Sequence, residues 1–407
     1  MATNTFVTIS MVTQRALVVL ENSLTFAKNV NRGYDDRFAV DGGKIGDTLN
    51  IRKPARFLGR EGATLAPEDY TETTTPLVIS TQYGVDLSMS CVNKTLDFDD
   101  LSRRFIEPAV SRIANKIDQD GMELYKKVWQ AVGTPGTVPA TTAAMGIYLD
   151  AGVKLNNSAA PTEPMWNNVI NPRMQASAVA AFSNLFQSSA QLKTQYEKGS
   201  MGLALGFDWY MDQNTAVHTV GLQGGSGTMT GSTTTGATQV VTGGWTNTIT
   251  GLLVEGDIIT IDDVYGLNPQ SYNSTGELMQ FVVTANVNST GGGAATIPIS
   301  PAIVSTGAFK NVSALPLANA GITVLGASGV TSPQGLAFHR DAFTLGMADL
   351  VKPPEGTLSY QVSSKKLGLS IRAIEAYDVF NDKVVTRLDV LYGWAAQRPE
   401  LACRICS

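Results

Sequence analysis

Charge is scarce in this chain. Lys and Arg number 30, and Asp and Glu 35, among 407 residues, or 16%. An average soluble protein has roughly 25%. The apolar share, 43%, is ordinary, so Ser, Thr, Asn and Gln must cover much of the surface. Positive charge is not in excess. A net charge of −5 and a pI near 5.2 argue against a dedicated nucleic-acid binder, which carries a basic stripe. They also argue against adhesion to an anionic membrane face. No apolar run approaches the ~18 residues of a membrane span. Residues 1–29 lack the basic segment and small-residue cleavage site of a secretory signal. Three cysteines, Cys91, Cys403 and Cys406, are too few for a disulfide framework, and a reducing cytoplasm fits best. Two histidines, His218 and His339, leave little material for hydrolytic or metal chemistry, which leans on imidazole.

Motifs that carry chemistry are missing too. Gly221-Leu-Gln-Gly-Gly-Ser-Gly227 is glycine-rich but lacks the Lys-Ser/Thr of a phosphate loop. No G-x-S-x-G or H-E-x-x-H occurs. The pair Cys403 and Cys406 has no second pair to complete a zinc site, and reads as two tail cysteines. Glu255, Asp257, Asp262 and Asp263 lack the spacing of a calcium loop and read as turn and edge-strand residues. The sequence therefore predicts no catalytic residue, no cofactor and no metal ligand.

What is present is a chain long enough for two or three domains at ~150 residues each. Its middle differs from its flanks. Residues 215–335 hold six charged residues among 121. Residues 221–251 hold 21 Gly, Ser or Thr among 31. Ile249–Ile261, Leu278–Thr284, Ala294–Ile299, Ile303–Val304 and Gly321–Leu325 are β-rich runs between turn residues, which predicts a small barrel or sandwich. For 222–236 a disordered Gly/Thr linker stays open as a reading.

Before this segment, Ile106, Val110, Ile113, Ile117, Gly121, Leu124 and Val128 recur at helical spacing, predicting one helix over Leu101–Val132. Asp97, Asp99 and Asp100 suit its start, and Gly133 and Pro135 its stop. About 28 residues would run about 42 Å along the outside of a sheet or neighbour. A second helix is predicted over Pro172–Gly199. The closing part is β, with alternation at Leu367, Leu369, Ile371 and Ala373, then Val384, Thr386, Leu388, Val390 and Tyr392.

Residues 44–72 carry Lys44, Arg52, Lys53, Arg56 and Arg60, then Glu61, Glu68, Asp69 and Glu72. Strand-like runs flank them at Asp47–Lys53 and Thr74–Thr81. This reads as a projecting, dipolar hairpin, suited to docking on a second copy, or as a solvated surface loop. Charge complementarity in such docking fixes register more than affinity.

Four motifs in order carry a resemblance. Leu391-Tyr-Gly-Trp-Ala-Ala-Gln-Arg-Pro-Glu400 resembles the end of the major coat proteins of short-tailed phages of the Salmonella phage P-22 type. Ser111-Arg-Ile-Ala-Asn-Lys-Ile117 resembles that family's spine helix, Gly206-Phe-Asp208 the residues before its inserted domain, and Gly256-Asp-Ile-Ile259 a turn within it. The resemblance implies an α+β, Hong Kong 97-like capsid fold with a long spine helix, an extended β-hairpin loop and an inserted all-β domain.

It implies an N-terminal arm over 1–42 and an extended loop over 43–75. A peripheral domain would span 76–140 and 355–392, and an axial domain 141–214, 336–354 and 393–407. The insertion would be a barrel-like domain over 215–335. The implied function is a non-enzymatic major capsid protein that self-assembles, as pentamers and hexamers, into an icosahedral shell around phage DNA. Implied partners are a scaffolding protein, a portal protein, packaged double-stranded DNA held without sequence-specific binding, and a candidate decoration protein, with no membrane. Assembly would take place in the host cytoplasm. The expected inter-subunit contacts on the loop are Arg52, Lys53, Arg56, Arg60, Glu61, Glu68 and Asp69. The low-charge insertion departs from the family, so its contacts would be polar, apolar or made by backbone. The alternative reading is a secreted or surface-layer β-rich structural protein, which the Gly/Thr-rich middle supports and the missing signal opposes.

Overall fold

Apolar residues two apart along a strand fall on one face of a sheet, and the closing part of the chain follows that rule. In the computed structural model, Leu369, Ile371 and Ala373 of strand Leu369–Asp378 and Leu388, Val390 and Tyr392 of strand Lys383–Ala396 are buried. The structure describes residues 9–33, 46, 48–60, 62–65, 67–69, 72–90, 102–139, 146–182, 202–351, 353, 358–364, 368–378 and 383–407. The acidic run Asp97, Asp99 and Asp100 lies outside the described residues, as does the 183–199 part of the second expected helix. The chain falls into two units. One comprises Met1–Ile51, Thr74–Gly121 and Phe343–Gln397, and the other Arg52–Thr73, Met122–Ala342 and Arg398–Ser407.

The first unit is built on a five-stranded antiparallel sheet. Its strands are β3 (Thr81–Ser90), β16 (Phe343–Met347), β17 (Leu358–Ser364), β18 (Leu369–Asp378) and β19 (Lys383–Ala396). The long β19 pairs with β18 along one side, while its other side is shared end to end by β3 and β16, which meet at Tyr392. Helix α1 (Ile9–Ser23) packs against β17 and β18, with Ala16 and Leu20 buried. The stem of the expected hairpin is present as the two-stranded sheet of β1 (Thr48–Arg52) and β2 (Thr74–Val78).

The predicted spine is a composite. A π turn (Ser102–Ile106) leads into helix α2 (Glu107–Met122), and a 3-10 turn (Glu123–Lys127) follows. The stripe holds, since Ile106, Val110, Ile113 and Ile117 are buried. The expected α-helix over Leu101–Val132 is nevertheless shorter, because strand β4 (Ala131–Val132) begins before Gly133. Buried Asp118 fixes the turn after α1, its carboxylate accepting from the amides of Thr25 (2.7 Å) and Ala27 (2.9 Å). The Tyr392 hydroxyl donates to Asp120 at 2.6 Å, and burial, reinforced by that bond, pushes its pKa far up.

The second unit holds a seven-stranded mixed sheet: β4, β5 (Trp166–Ile170), β6 (Leu203–Ala204), β7 (Phe207–Met211), β8 (Val217–Thr219), β15 (Thr331–Phe338) and β20 (Ala402–Cys406). Helix α3 (Gly146–Asn157) covers it, and helix α4 (Pro172–Phe182) lies in the crossover that the parallel pair β5–β7 requires. Between β8 and β15 the chain forms a barrel from β9 (Gly225–Met229), β10 (Ala237–Trp245), β11 (Ile258–Leu267), β12 (Ser274–Val283), β13 (Ala295–Ile303) and β14 (Ile322–Val324). A bridge between Thr228 and Gly321 closes it. Phe281, Ile259, Ile261, Ile297 and Ile303 are wholly buried inside. The linker reading of 222–236 is corrected, because β9 takes five of those residues into the wall. The C-terminal cysteines are not a tail. Both lie fully buried in β20, next to β15.

Gly84 lies where β3 crosses β19. A Cβ there would meet the Leu388 carbonyl oxygen at 2.6 Å and the Asp389 carboxylate still closer. Gly84→Ala is expected to destabilise the first unit by about 1–3 kcal/mol, the range for overpacking. Denaturant unfolding against the unchanged protein checks this, since a loss under 0.5 kcal/mol lies outside that expectation.

Candidate functional site

Two constellations stand out in the second unit. The first is a buried polar cluster. Arg404, 1% exposed, sits on β20 with its guanidinium 5.0 Å from the centroid of the Tyr125 ring. It donates to the Gln334 side-chain oxygen at 2.8 and 3.1 Å and to the Gly256 carbonyl at 2.6 Å. Asp257, at 1% exposure, accepts from His218 Nε2 (2.8 Å) and from the amides of Val254 (2.7 Å) and Gly221 (3.2 Å). A proton on Nε2 leaves Nδ1 of His218 to accept from the Tyr125 hydroxyl at 3.2 Å. Burial pushes the Tyr125 phenol well above its ordinary range, with Arg404 opposing. The cluster ties the barrel's two entry strands and its Gly256–Asp257 turn to the sheet. Its side chains bond one another and the backbone of Gly221, Val254 and Gly256.

The cysteines of β20 join this picture. Burial pushes both thiols up, which keeps them protonated and unreactive. Alkylation of the native protein is therefore expected to leave Cys403 and Cys406 unmodified until denaturant is added, as read by peptide mass mapping.

The second constellation is the charged hairpin. Arg52 pairs with Glu72 at 3.3 Å across the stem, both exposed. The stem closes with the Lys53 amide donating to Thr73 at 2.8 Å. Arg56 approaches Glu400 at 3.9 Å and lies 5.6 Å from the centroid of the Phe309 ring. Arg60 donates to the Gly62 carbonyl within the tip. Glu68, itself exposed, accepts the Leu58 amide at 2.8 Å. Asp69 is exposed, and Glu61 lies outside the described residues. Sequence reasoning found these charges but missed the apolar ones among them: Phe57, Leu58 and Leu65 are 57%, 51% and 79% exposed. Of the acidic residues weighed for calcium, Asp257 is inside the polar cluster and Glu255 pairs with Lys127 at 3.5 Å.

Beneath the tip is a cleft of about 360 Å³, lined by Lys53, Arg56, Trp129, Lys154, Met279 and Phe309 among others. Lys154 is neutralised by Glu277 at 2.6 Å. The lining mixes apolar surface with charge of both signs, of which Lys154–Glu277 and Arg56–Glu400 are paired.

A family model described as "P22 coat protein - gene protein 5" matches residues 1–404. No curated protein sequence matches the chain significantly. Among solved structures, one titled "Mycobacterium phage Che8" shares 11% identity over 94% of this chain and 90% of its own, with a TM-score of 0.49. "Capsid of Ralstonia phage GP4" shares 8% over 94% and 87%, with a TM-score of 0.45. "CUS-3 coat protein I-domain" shares 23% over 25% of this chain and 95% of its own, with a TM-score of 0.19.

Removal of the Asp257 carboxylate leaves three donors without an acceptor, the His218 ring and Gly221 amide buried and the Val254 amide partly so. Asp257→Ala is expected to cost about 3 kcal/mol and Asp257→Asn markedly less. Chemical unfolding followed by tryptophan fluorescence checks the order of the two.

Proposed function

The chain belongs to the P22 coat protein family, and from that premise we propose how its parts build a shell. The chain is a major capsid protein, a structural protein and not an enzyme, with the mixed helix-and-sheet architecture of the Hong Kong 97-like fold. It forms the virion capsid by self-association. The match over residues 1–404 carries this conclusion.

The finer reading is ours. The arm is 1–42 and the extended loop 43–75. The peripheral domain is 76–140 with 355–392, the axial domain 141–214 with 336–354 and 393–407, and the insertion 215–335. Identical chains close a shell through heterologous contacts that bend differently at pentamers and hexamers. The loop lies over a neighbouring copy, where Arg52, Lys53, Arg56 and Arg60 meet acidic groups, and Glu61, Glu68 and Asp69 meet basic ones. Arginine suits this role because its planar fork holds a carboxylate bidentately. Each exposed pair contributes only ~0–1 kcal/mol, but the pair recurs at every copy. The acidic balance of the chain keeps packaged DNA from adhering, since phosphate contacts supply most non-specific affinity. A scaffolding protein, a portal and a candidate decoration protein complete the particle, assembled in the host cytoplasm.

The test is negative-stain electron microscopy of the chain expressed alone and with its neighbouring reading frames. Closed shells or curved capsomer sheets are expected. A monodisperse monomer in both conditions overturns the assembly reading and favours the β-rich surface protein. Reversing two loop charges, Arg52→Glu with Arg60→Glu, is expected to leave the fold unchanged by circular dichroism. It should raise the concentration needed for assembly about fivefold, the effect of ~1 kcal/mol. Unchanged assembly removes these arginines from the interface.

A further inference from the structure

The hairpin tip does not stand free in the single chain. It rests on the barrel. The Tyr272 hydroxyl shares its proton between the Phe57 carbonyl at 3.2 Å and the Ala308 carbonyl at 3.0 Å. The Arg56 guanidinium faces the Phe309 ring and approaches Glu400. Lys53, Arg56 and Thr73 form one wall of the cleft, and Trp129, Met279 and Phe309 belong to the others. None of these contacts is strong. The ion pair is 3.9 Å long with side chains 30% and 18% exposed, and the hydrogen bond is long and shared. The three large apolar residues of the tip, Phe57, Leu58 and Leu65, stay mostly in water.

We propose that the barrel rim carrying Tyr272 and Phe309, with Glu400 beside it, is a docking site for the hairpin tip, occupied in the free protomer by the chain's own hairpin, and that assembly proceeds by releasing the tip to a second copy. The physical logic is competition. A tip held by contacts of this class is released at a cost that a neighbour's contacts can offset. Arg56 cannot face Phe309 and Glu400 of its own chain while extended onto another subunit. The docked state thus lowers the fraction of protomers competent to associate, as expected when a binding-competent conformation is only partly populated. Exchange of one element between identical partners is a low-cost route to association. This rests on the reading that the hairpin contacts a neighbour.

The test uses substitutions on the rim side only, so that the hairpin keeps its full sequence. Phe309 is half-buried at the barrel's rim, and Phe309→Ala removes the ring beneath Arg56. Glu400→Gln removes the charge and keeps the shape. Amide hydrogen exchange on the unassembled full-length protomer reads docking without any assembly. In the unsubstituted chain the hydrogen-bonded amides of Lys53 and Leu58 are expected to be protected. In the doubly substituted chain they should exchange about tenfold faster, the weight of a cation–π contact and a partly buried ion pair together. Exchange in β11–β13 should not change, which shows that the barrel stays folded. Light scattering at equal concentration then reads assembly, and the doubly substituted chain is expected to nucleate faster. Equal hairpin exchange in both chains overturns the docking site. Faster exchange with slower or unchanged assembly overturns the release step and makes the rim a brace. Failure of the unsubstituted chain to assemble counts against the function proposed above, while the exchange result still decides the docking site.

Discussion

Arg404 lies wholly out of water, and the packing of the second unit has to satisfy it. A buried guanidinium has five N–H donors and no acceptor capacity, so each neighbour must supply an oxygen or a π-face. Gln334 on β15, the Gly256 carbonyl at the barrel's turn and the Tyr125 ring do so. Those three residues are far apart in sequence and belong to different elements. Their convergence on one side chain fixes where the barrel's Gly256–Asp257 turn meets the sheet. Asp257 completes the arrangement by fixing His218 of β8 and the Gly221 amide, where the chain enters the barrel. In a segment that carries so little charge, its one buried carboxylate, Asp257, is committed to His218 and two backbone amides.

The shortage of charge elsewhere has its own consequence. Barrel closure relies on backbone pairing and on an apolar interior, each large side chain contributing about 1.5–3 kcal/mol when fully buried. The outer face is left to Thr, Ser, Asn and Gln. Such a surface makes contacts that are weakly dependent on salt and weakly steered over distance. The hairpin is the opposite case, with both signs of charge concentrated on a short segment that projects from a β stem.

Much of the architecture was legible because periodicity and composition are local signals. The buried stripe Ile106, Val110, Ile113 and Ile117 follows from spacing alone, and so does the alternation that buries Leu369, Ile371 and Ala373. The barrel was legible from its β-branched runs and loss of charge. The failures share a cause. Residues 225–229 (Gly-Ser-Gly-Thr-Met) have the composition of a linker, and only pairing with β10 makes them a strand. Cys403 and Cys406 look like tail residues until β15 and β4 are seen on either side of β20. The helix ends early because Ala131 and Val132 are recruited by a strand some 270 positions away, the Arg404–Ile405 pair. No window of local sequence contains that information. His218 and Asp257 were each read as unremarkable for the same reason, since their meeting depends on the barrel being closed.

The candidate interface shows the limit most clearly. Charge patterning named the hairpin, but it could not show that several of those charges already have partners within the chain. Arg52 is paired across the stem, Arg56 faces Phe309, and Glu68 caps an amide of its own tip. A segment whose charges are half satisfied at home gains less from each new partner than a bare one, because every contact made abroad replaces one lost. That moderation is useful in a shell of identical chains. If each hairpin gained the full value of several ion pairs and three buried apolar side chains on first encounter, the first geometry met would be kept, whether or not its curvature closed. In the proposed exchange the home contacts are set against those made abroad, so the net gain per contact would be small and misplaced subunits could leave before the neighbouring contacts are complete.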